Sequence, residues 1–196
     1  MVIAFLAIIV TGLAVVAPAA YLFELPRKIK MSADQYFVVQ TIYLGWWTVG
    51  LLLPIAIGTN IALALEVGIN TLPSWLALTA AALLVANLVI FVVWTRPVNA
   101  ITKNWAVRLE NWRGLRRQWE FSHAANAGVT VLAFCFAALA ALYSTTRRKG
   151  AVTTRRWACP RHLRRRVPGS GYPVRERLSC NPRRSQPTDG SRRGRW

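Results

Sequence analysis

The chain has 196 residues and is 54% hydrophobic, yet it carries a formal net charge of +18. This combination excludes an ordinary soluble domain. The conflict disappears when the chain is divided after Thr146, because residues 1–146 hold nine Lys/Arg against five Asp/Glu (+4) and residues 147–196 hold sixteen against two (+14). We therefore predict a membrane domain over residues 1–146 and a basic tail over residues 147–196.

Four long runs of the first part contain no charged residue, and each is long enough to cross a bilayer as a helix, which takes about 20 apolar residues. The runs cover residues 2–23, 37–65, 67–95 and 124–146. In the third run, Trp75 and Trp94 are separated by about the thickness of the hydrocarbon core, as expected for an indole at each interface. The runs predict an all-α, multi-pass membrane protein with an up-down four-helix transmembrane bundle.

The basic residues predict an orientation in the cell membrane. Residues 24–36 contain three Lys/Arg and the stretch after the third run contains six, whereas residues 66–74 contain none. Because basic loops stay in the cytoplasm, both termini are expected outside. Pro26 and Pro97 are expected to end the first and third helices, and Pro54 is expected to kink the second.

Polar residues are scarce inside the four runs. None has an ionisable residue at its middle, which weighs against an ion pump, a proton-coupled transporter or a voltage sensor. Asn87, deep in the third run, is expected to make a helix-to-helix hydrogen bond. Cys135, Cys159 and Cys180 have no metal-site spacing, so no metal site is expected.

The tail from residue 147 to 196 is rich in Arg, Pro and Gly and poor in large apolar residues, so it is expected to be disordered. Such a tail could bind nucleic acid or anionic lipid. However, its charge follows the fourth run on the predicted outer side, against the positive-inside rule. Its preference for Arg over Lys is typical of a GC-rich gene translated in the wrong frame. We therefore favour a frameshifted end and expect no nucleic-acid partner.

Residues 95–126 are dense in groups that could do chemistry. Trp105, Trp112 and Trp119 recur every seven residues, which places them on one stripe if the segment is helical. A helix starting near Asn111 would continue into the fourth membrane helix and carry Arg116, Trp119, His123 and Asn126 as neighbours. On the residues alone, anchoring is the favoured interpretation, because Trp and Arg are the usual side chains at a cytoplasmic membrane interface.

Three elements of this region also carry a resemblance. They are Pro97-Val98-Asn99, Asn104-Trp105, and Arg116-Arg117-Gln118-Trp119-Glu120-x-Ser122-His123-x-x-Asn126. With these elements, residues 1–146 resemble a family of small four-helix membrane proteins of unknown function that is grouped with fungal anthrone oxygenases. Residues 147–196 are outside the resemblance.

The resemblance implies a cofactor-independent oxygenase that oxidises a planar anthrone or quinone-type substrate with molecular oxygen. His123 would then be the base, Arg116 or Asn99 would stabilise the enolate, and Trp112 and Trp119 would stack on the substrate. Trp105, Asn104 and Asn126 complete the expected substrate site. The alternative is a non-catalytic membrane component that binds lipid or a partner protein through the same Trp/Arg cluster.

Overall fold

The computed structural model describes residues 1–157, and the side chains of residues 1–146. Its α-helices, in chain order, are α1 (Val2–Lys28), α2 (Ala33–Gln40), α3 (Leu52–Val67), α4 (Leu72–Ile90), α5 (Arg96–Ile101) and α6 (Trp112–Trp157). Two 3₁₀ segments, Thr41–Tyr43 and Trp46–Leu51, precede α3, and a π-helical segment, Phe91–Thr95, joins α4 to α5.

Within the described residues, four helices are long and apolar enough to cross a membrane, which confirms the predicted all-α multi-pass architecture. They cover Val2–Lys28, Trp46–Val67, Leu72–Ile101 and Trp112–Thr146. Helix α3 packs on both α1 and α4, and one buried cluster draws residues from all four spans. The protein is therefore a four-helix membrane bundle.

Small side chains let the helices approach closely. The cluster shared by all four helices contains Ala4 and Ala7 of α1, Ala77 of α4 and Ala140 of α6. At Gly12, an added Cβ would lie 3.3 Å from the ring of Phe134 on α6, so α1 and α6 are in close contact there. Small interfacial residues of this kind favour van der Waals packing between helices in lipid.

Two buried amides connect pairs of helices. Asn60 of α3 donates to Thr11 Oγ1 of α1 at 2.9 Å. Asn87 of α4 donates to Thr130 Oγ1 of α6, which confirms its predicted interhelical role. These bonds satisfy polar groups that lipid cannot satisfy.

The predicted helix boundaries at proline were wrong. Helix α1 continues through Pro26 to Lys28, and Pro97 lies in the first turn of α5, where a missing backbone donor costs little. The second run is not one helix from residue 37, because Gly45 adopts φ +91° between the two 3₁₀ segments. Pro54 lies in the first turn of α3, just after this irregular stretch.

The structure covers only the start of the predicted tail. Residues Met1–Lys149 form one compact unit. Helix α6 continues to Trp157, and residues 158–196, which make up the rest of the tail expected to be disordered, lie outside the described residues.

Candidate functional site

The three tryptophans at seven-residue spacing are buried inside the protein. Trp105, Trp112 and Trp119 are 5%, 6% and 4% exposed, and they share one cluster with Tyr21 and Tyr36. The ring centroids of Trp105 and Trp119 are 6.1 Å apart in an edge-on contact. An anchoring indole lies at the lipid headgroups, whereas these three indoles form a core.

A strained turn brings Trp105 into this core. Lys103, Asn104 and Trp105 have φ angles of 48°, 56° and 64°, a region that residues with a Cβ rarely adopt. Asn104 N donates to the carbonyl of Asn99 at 2.7 Å, and Trp105 N donates to the buried hydroxyl of Thr102 at 3.1 Å. Strain of this kind persists where surrounding contacts fix it, and it is common at functional sites.

Lys28 is the centre of a buried charge network beside the tryptophans. Its side chain is 2% exposed, and its Nζ lies 3.2 Å from Glu120 Oε1 and 3.6 Å from Glu24 Oε2. It also donates to the hydroxyl of Tyr43 at 3.3 Å. A cation this deeply buried is stable only with such compensation, because its desolvation is costly.

Two tyrosines complete the network as proton donors. Tyr36 donates to Glu120 Oε1 at 3.0 Å, and Tyr43 donates to Glu24 Oε2. Burial raises the pKa of the Tyr36 phenol, and the charge of Glu120 raises it further. Burial also raises the pKa of Tyr43, with the hydrogen bond to Glu24 as the second cause. Both phenols therefore stay protonated at neutral pH.

The network supports one wall of a cavity. Lys28 Nζ lies 4.4 Å from the ring centroid of Tyr43, 5.0 Å from that of Trp119 and 5.1 Å from that of Tyr21. All three rings line the cavity. Cation–π contacts at these distances stabilise the rings in place.

The cavity lies among α1, the irregular segment before α3, the end of α4 and the start of α6, and its volume is about 500 Å³. Its aromatic lining also includes Trp46, Trp47, Phe91 and Trp105. Polar side chains also line it, namely Gln40, Asn87, Asn99, Asn104, His123 and Asn126. This size, with apolar walls and a few convergent polar groups, is typical of a small-molecule site.

Six of the eight predicted site residues line this cavity. They are Asn99, Asn104, Trp105, Trp119, His123 and Asn126. Arg116 and Trp112 are not among its lining residues. Arg116 instead donates from Nη1 to the carbonyl of Met31 at 2.8 Å, and its guanidinium carbon lies 4.7 Å from the centroid of Trp112. The contribution of Arg116 to the chemistry stays a prediction.

His123 lies between two aromatic rings in the cavity wall. Its imidazole stacks on Tyr21 with centroids 4.2 Å apart and an interplanar angle of 26°, and it contacts Trp119 at 4.1 Å. Its Nε2 is buried and has no hydrogen-bond partner among residues 1–146. Ring contacts therefore hold the imidazole in place, and its Nε2 makes no hydrogen bond to the described residues.

Three further cavity residues have a buried polar atom without a partner within the described chain, namely Gln40 Nε2 and Trp105 Nε1, both donors, and Asn126 Oδ1, an acceptor. Asn99 differs, since its Oδ1 accepts the indole N–H of Trp119 at 2.8 Å. An indole nitrogen can only donate, so this bond fixes the amide with Nδ2 as its remaining donor.

Sequence reasoning missed most of the side chains that support the cavity. Tyr21, Tyr43 and Trp46 were assigned to membrane helices or their ends, and Lys28 and Glu24 to a loop. Lys28 and Glu24 are one helical turn apart, a spacing that favours an ion pair. The spacing indicates this ion pair only if the helix continues past Pro26, where the helix was expected to end.

No family model, curated protein or solved structure matches this chain. Within residues 1–146, no group of three or more His, Cys, Asp or Glu side chains could hold a metal ion. The assignment of function therefore depends on the cavity and on the sequence resemblance.

Proposed function

We propose that this multi-pass membrane protein binds a planar aromatic molecule of the anthrone type in the cavity. We further propose that it oxidises this molecule with molecular oxygen, using His123 as the base. The substrate would stack against the aromatic lining and place its oxygen atoms against the polar side chains. The non-catalytic alternative uses the same cavity for binding alone.

One observation carries the proposal: within residues 1–146, four residues that line the aromatic cavity each have a buried polar atom without a hydrogen-bond partner. These atoms are Gln40 Nε2, Trp105 Nε1, His123 Nε2 and Asn126 Oδ1. A buried polar group without a hydrogen bond costs roughly 1–3 kcal/mol, so native proteins contain few of them. A ligand with a carbonyl and a hydroxyl would offer an acceptor to Trp105 and a donor to Asn126.

The side chains suit a proton transfer followed by oxidation. The imidazole of His123 removes a proton from the methylene group of the anthrone, and the electron pair delocalises onto the carbonyl oxygen as an enolate. The free Nδ2 of Asn99 is suited to stabilise that oxyanion by hydrogen bonding. Asn99 therefore takes the stabilising role in place of Arg116, because Arg116 Nη1 already donates to the carbonyl of Met31.

The remaining steps balance without a further reactant. The carbanion transfers electrons to O₂ and forms a carbon–oxygen bond, and His123 returns its proton to the peroxide. Loss of water then breaks the O–O bond and the second C–H bond. Anthrone and O₂ give anthraquinone and water, so oxygen accepts all the electrons.

The resemblance of residues 1–146 to the anthrone oxygenase group supports the choice of reaction, and the cavity supports the choice of ligand shape. We place the cavity end of the bundle on the cytoplasmic side, because the basic residues of 24–36 and 96–117 lie at that end. Both termini would then be outside.

The test is oxygen uptake by the full-length protein in detergent with a simple anthrone. We expect uptake above the spontaneous rate, and a loss of roughly 10²–10⁴-fold in His123→Ala, the usual contribution of a general base. His162→Ala removes the other histidine of the chain and is the matched control. Uptake at the spontaneous rate, with the anthrone still bound, would favour the non-catalytic alternative.

A further inference from the structure

One side of the cavity is apolar and is not used by the proposed reaction. It is formed by the irregular segment before α3, the first turn of α3, the end of α4 and the start of the π-helical segment, and it includes Trp47, Leu53, Leu88 and Phe91. The π-helical segment begins at Phe91, and such irregular turns within a helix are frequent at functional sites. The four cavity residues with a partnerless polar atom in the described part of the chain lie on other elements, namely α2, α6 and the turn containing Trp105.

This apolar side is also part of the outer surface of the bundle. Trp47 is 73% exposed, Leu88 43% and Phe91 38%. All three lie within helices that are long and apolar enough to cross a membrane. Exposed apolar side chains in such helices face acyl chains, so the cavity opens sideways toward the bilayer.

We infer that the molecule bound in this cavity carries a long alkyl or isoprenoid chain, which leaves the cavity between Trp47 and Phe91 and lies in the bilayer. This inference rests on the proposed function, since it concerns the ligand of the same site. The polar ring system would occupy the inner part, where hydrogen-bonding groups are available. The chain would cover the apolar opening, where each buried methylene group adds to affinity.

Gly50 offers a way to close this opening. It lines the cavity, and a Cβ added to it would meet no other heavy atom within 4 Å. Its φ is not in the left-handed region, so a larger side chain is compatible with the backbone. Gly58 on α3 has the same free space but does not line the cavity, and it is the matched control.

The experiment uses full-length protein in lipid nanodiscs and two probes: a dihydroxyanthraquinone, and the same ring system bearing a decyl chain. Binding is followed by quenching of tryptophan fluorescence. Kd is expressed as the mole fraction of probe in the bilayer. This scale corrects for the fact that the chain-bearing probe partitions more strongly into lipid. Gly50→Leu, the shorter Gly50→Val and the control Gly58→Leu are compared with the unsubstituted protein.

We expect Gly50→Leu to raise the Kd of the chain-bearing probe about tenfold, which is equivalent to the loss of about two buried methylene groups. The Kd of the other probe should change by less than about twofold. Gly50→Val should have a smaller effect in the same direction, and it gives the answer if Gly50→Leu does not fold. Gly58→Leu should leave both probes unchanged. Equal weakening of both probes, or of neither, would overturn the inference while leaving the proposed function intact. If neither probe binds to the unsubstituted protein, both the inference and the proposed function are overturned.

Discussion

The two ends of the helix bundle are built from different side chains. The end near Ala4, Leu63 and Ala140 consists mainly of small residues, and all four membrane helices meet there. At the other end, large aromatic rings pack around the buried ion pair of Lys28 and Glu120. Close packing of the helices uses small side chains, whereas the binding cavity is lined by large aromatic ones.

Three irregular backbone segments lie at the aromatic end. The left-handed Gly45, the π-helical segment and the strained turn before Trp105 all contribute residues to the cavity or lie directly beside it. Regular α-helix would bring the helices together along their whole length. The irregular segments at this end instead contribute Gly45, Phe91 and Trp105 to the lining of the cavity.

The largest expected effect comes from the ion pair at the aromatic end. Lys28→Met would leave Glu120 buried beside Glu24 without a cation, and breaking a buried pair in this way costs about 3–5 kcal/mol. We expect a large fall in the thermal unfolding midpoint, measured by tryptophan fluorescence in detergent. The additional change Glu120→Gln should restore part of the stability. Lys30→Met, an exposed position, is the control, and an equal effect there would contradict the network.

The alanine end should be sensitive to added volume instead. Ala77 is 0% exposed, so Ala77→Leu would force the helices apart and cost about 1–3 kcal/mol. Ala82→Leu on the same helix is the control, because that side chain is exposed. The stability of the two variants would be compared by their unfolding midpoints at increasing SDS concentration. Similar midpoints would show that the alanine end is not tightly packed.

A smaller effect should appear at high pH and only at the aromatic end. The pKa of Tyr36 is raised above its ordinary value of 10.0, so the unfolded protein loses this proton first. Stability from this group is therefore complete below about pH 10 and falls as pH rises toward the folded-state pKa, by about 1.4 kcal/mol per pH unit. Glu120 and the Arg116 guanidinium are the charged groups that face Tyr36.

The corresponding variant is Tyr36→Phe, which has no phenol to ionise. Unfolding midpoints between pH 9 and pH 11 should fall less steeply in this variant than in the unsubstituted protein. Its stability at neutral pH should be lower, because the hydrogen bond to Glu120 is lost. Identical slopes would show that the Tyr36 phenol ionises equally in both states.

The sequence predicted the alanine end better than the aromatic end. Hydropathy and run length identified four membrane helices, because every lipid-facing helix needs an apolar surface of that length. Local propensity was less reliable at Pro26, because helix α1 continues past this proline to Lys28. Lys28 was assigned to a loop for that reason. Its partner Glu120 lies far along the sequence, so no local pattern indicated the ion pair.

The candidate site was predicted in part. The spacing of Trp119, His123 and Asn126 placed three cavity residues on one face of α6, because helical neighbours recur every three or four residues. The same rule included Arg116, whose guanidinium turns instead to a carbonyl of the segment after α1. Tyr21 and Tyr43 come from separate elements, and no local pattern could bring them to His123.

The most direct test of the proposed oxidation is the fate of oxygen itself. Full-length protein would be given an anthrone under isotopically heavy O₂, and the quinone would be examined by mass spectrometry. We expect one heavy oxygen atom in the new carbonyl group, formed faster than without protein, and we expect His123→Ala to lose this acceleration. Product without the label, or label formed at the same rate by His123→Ala, would contradict the account.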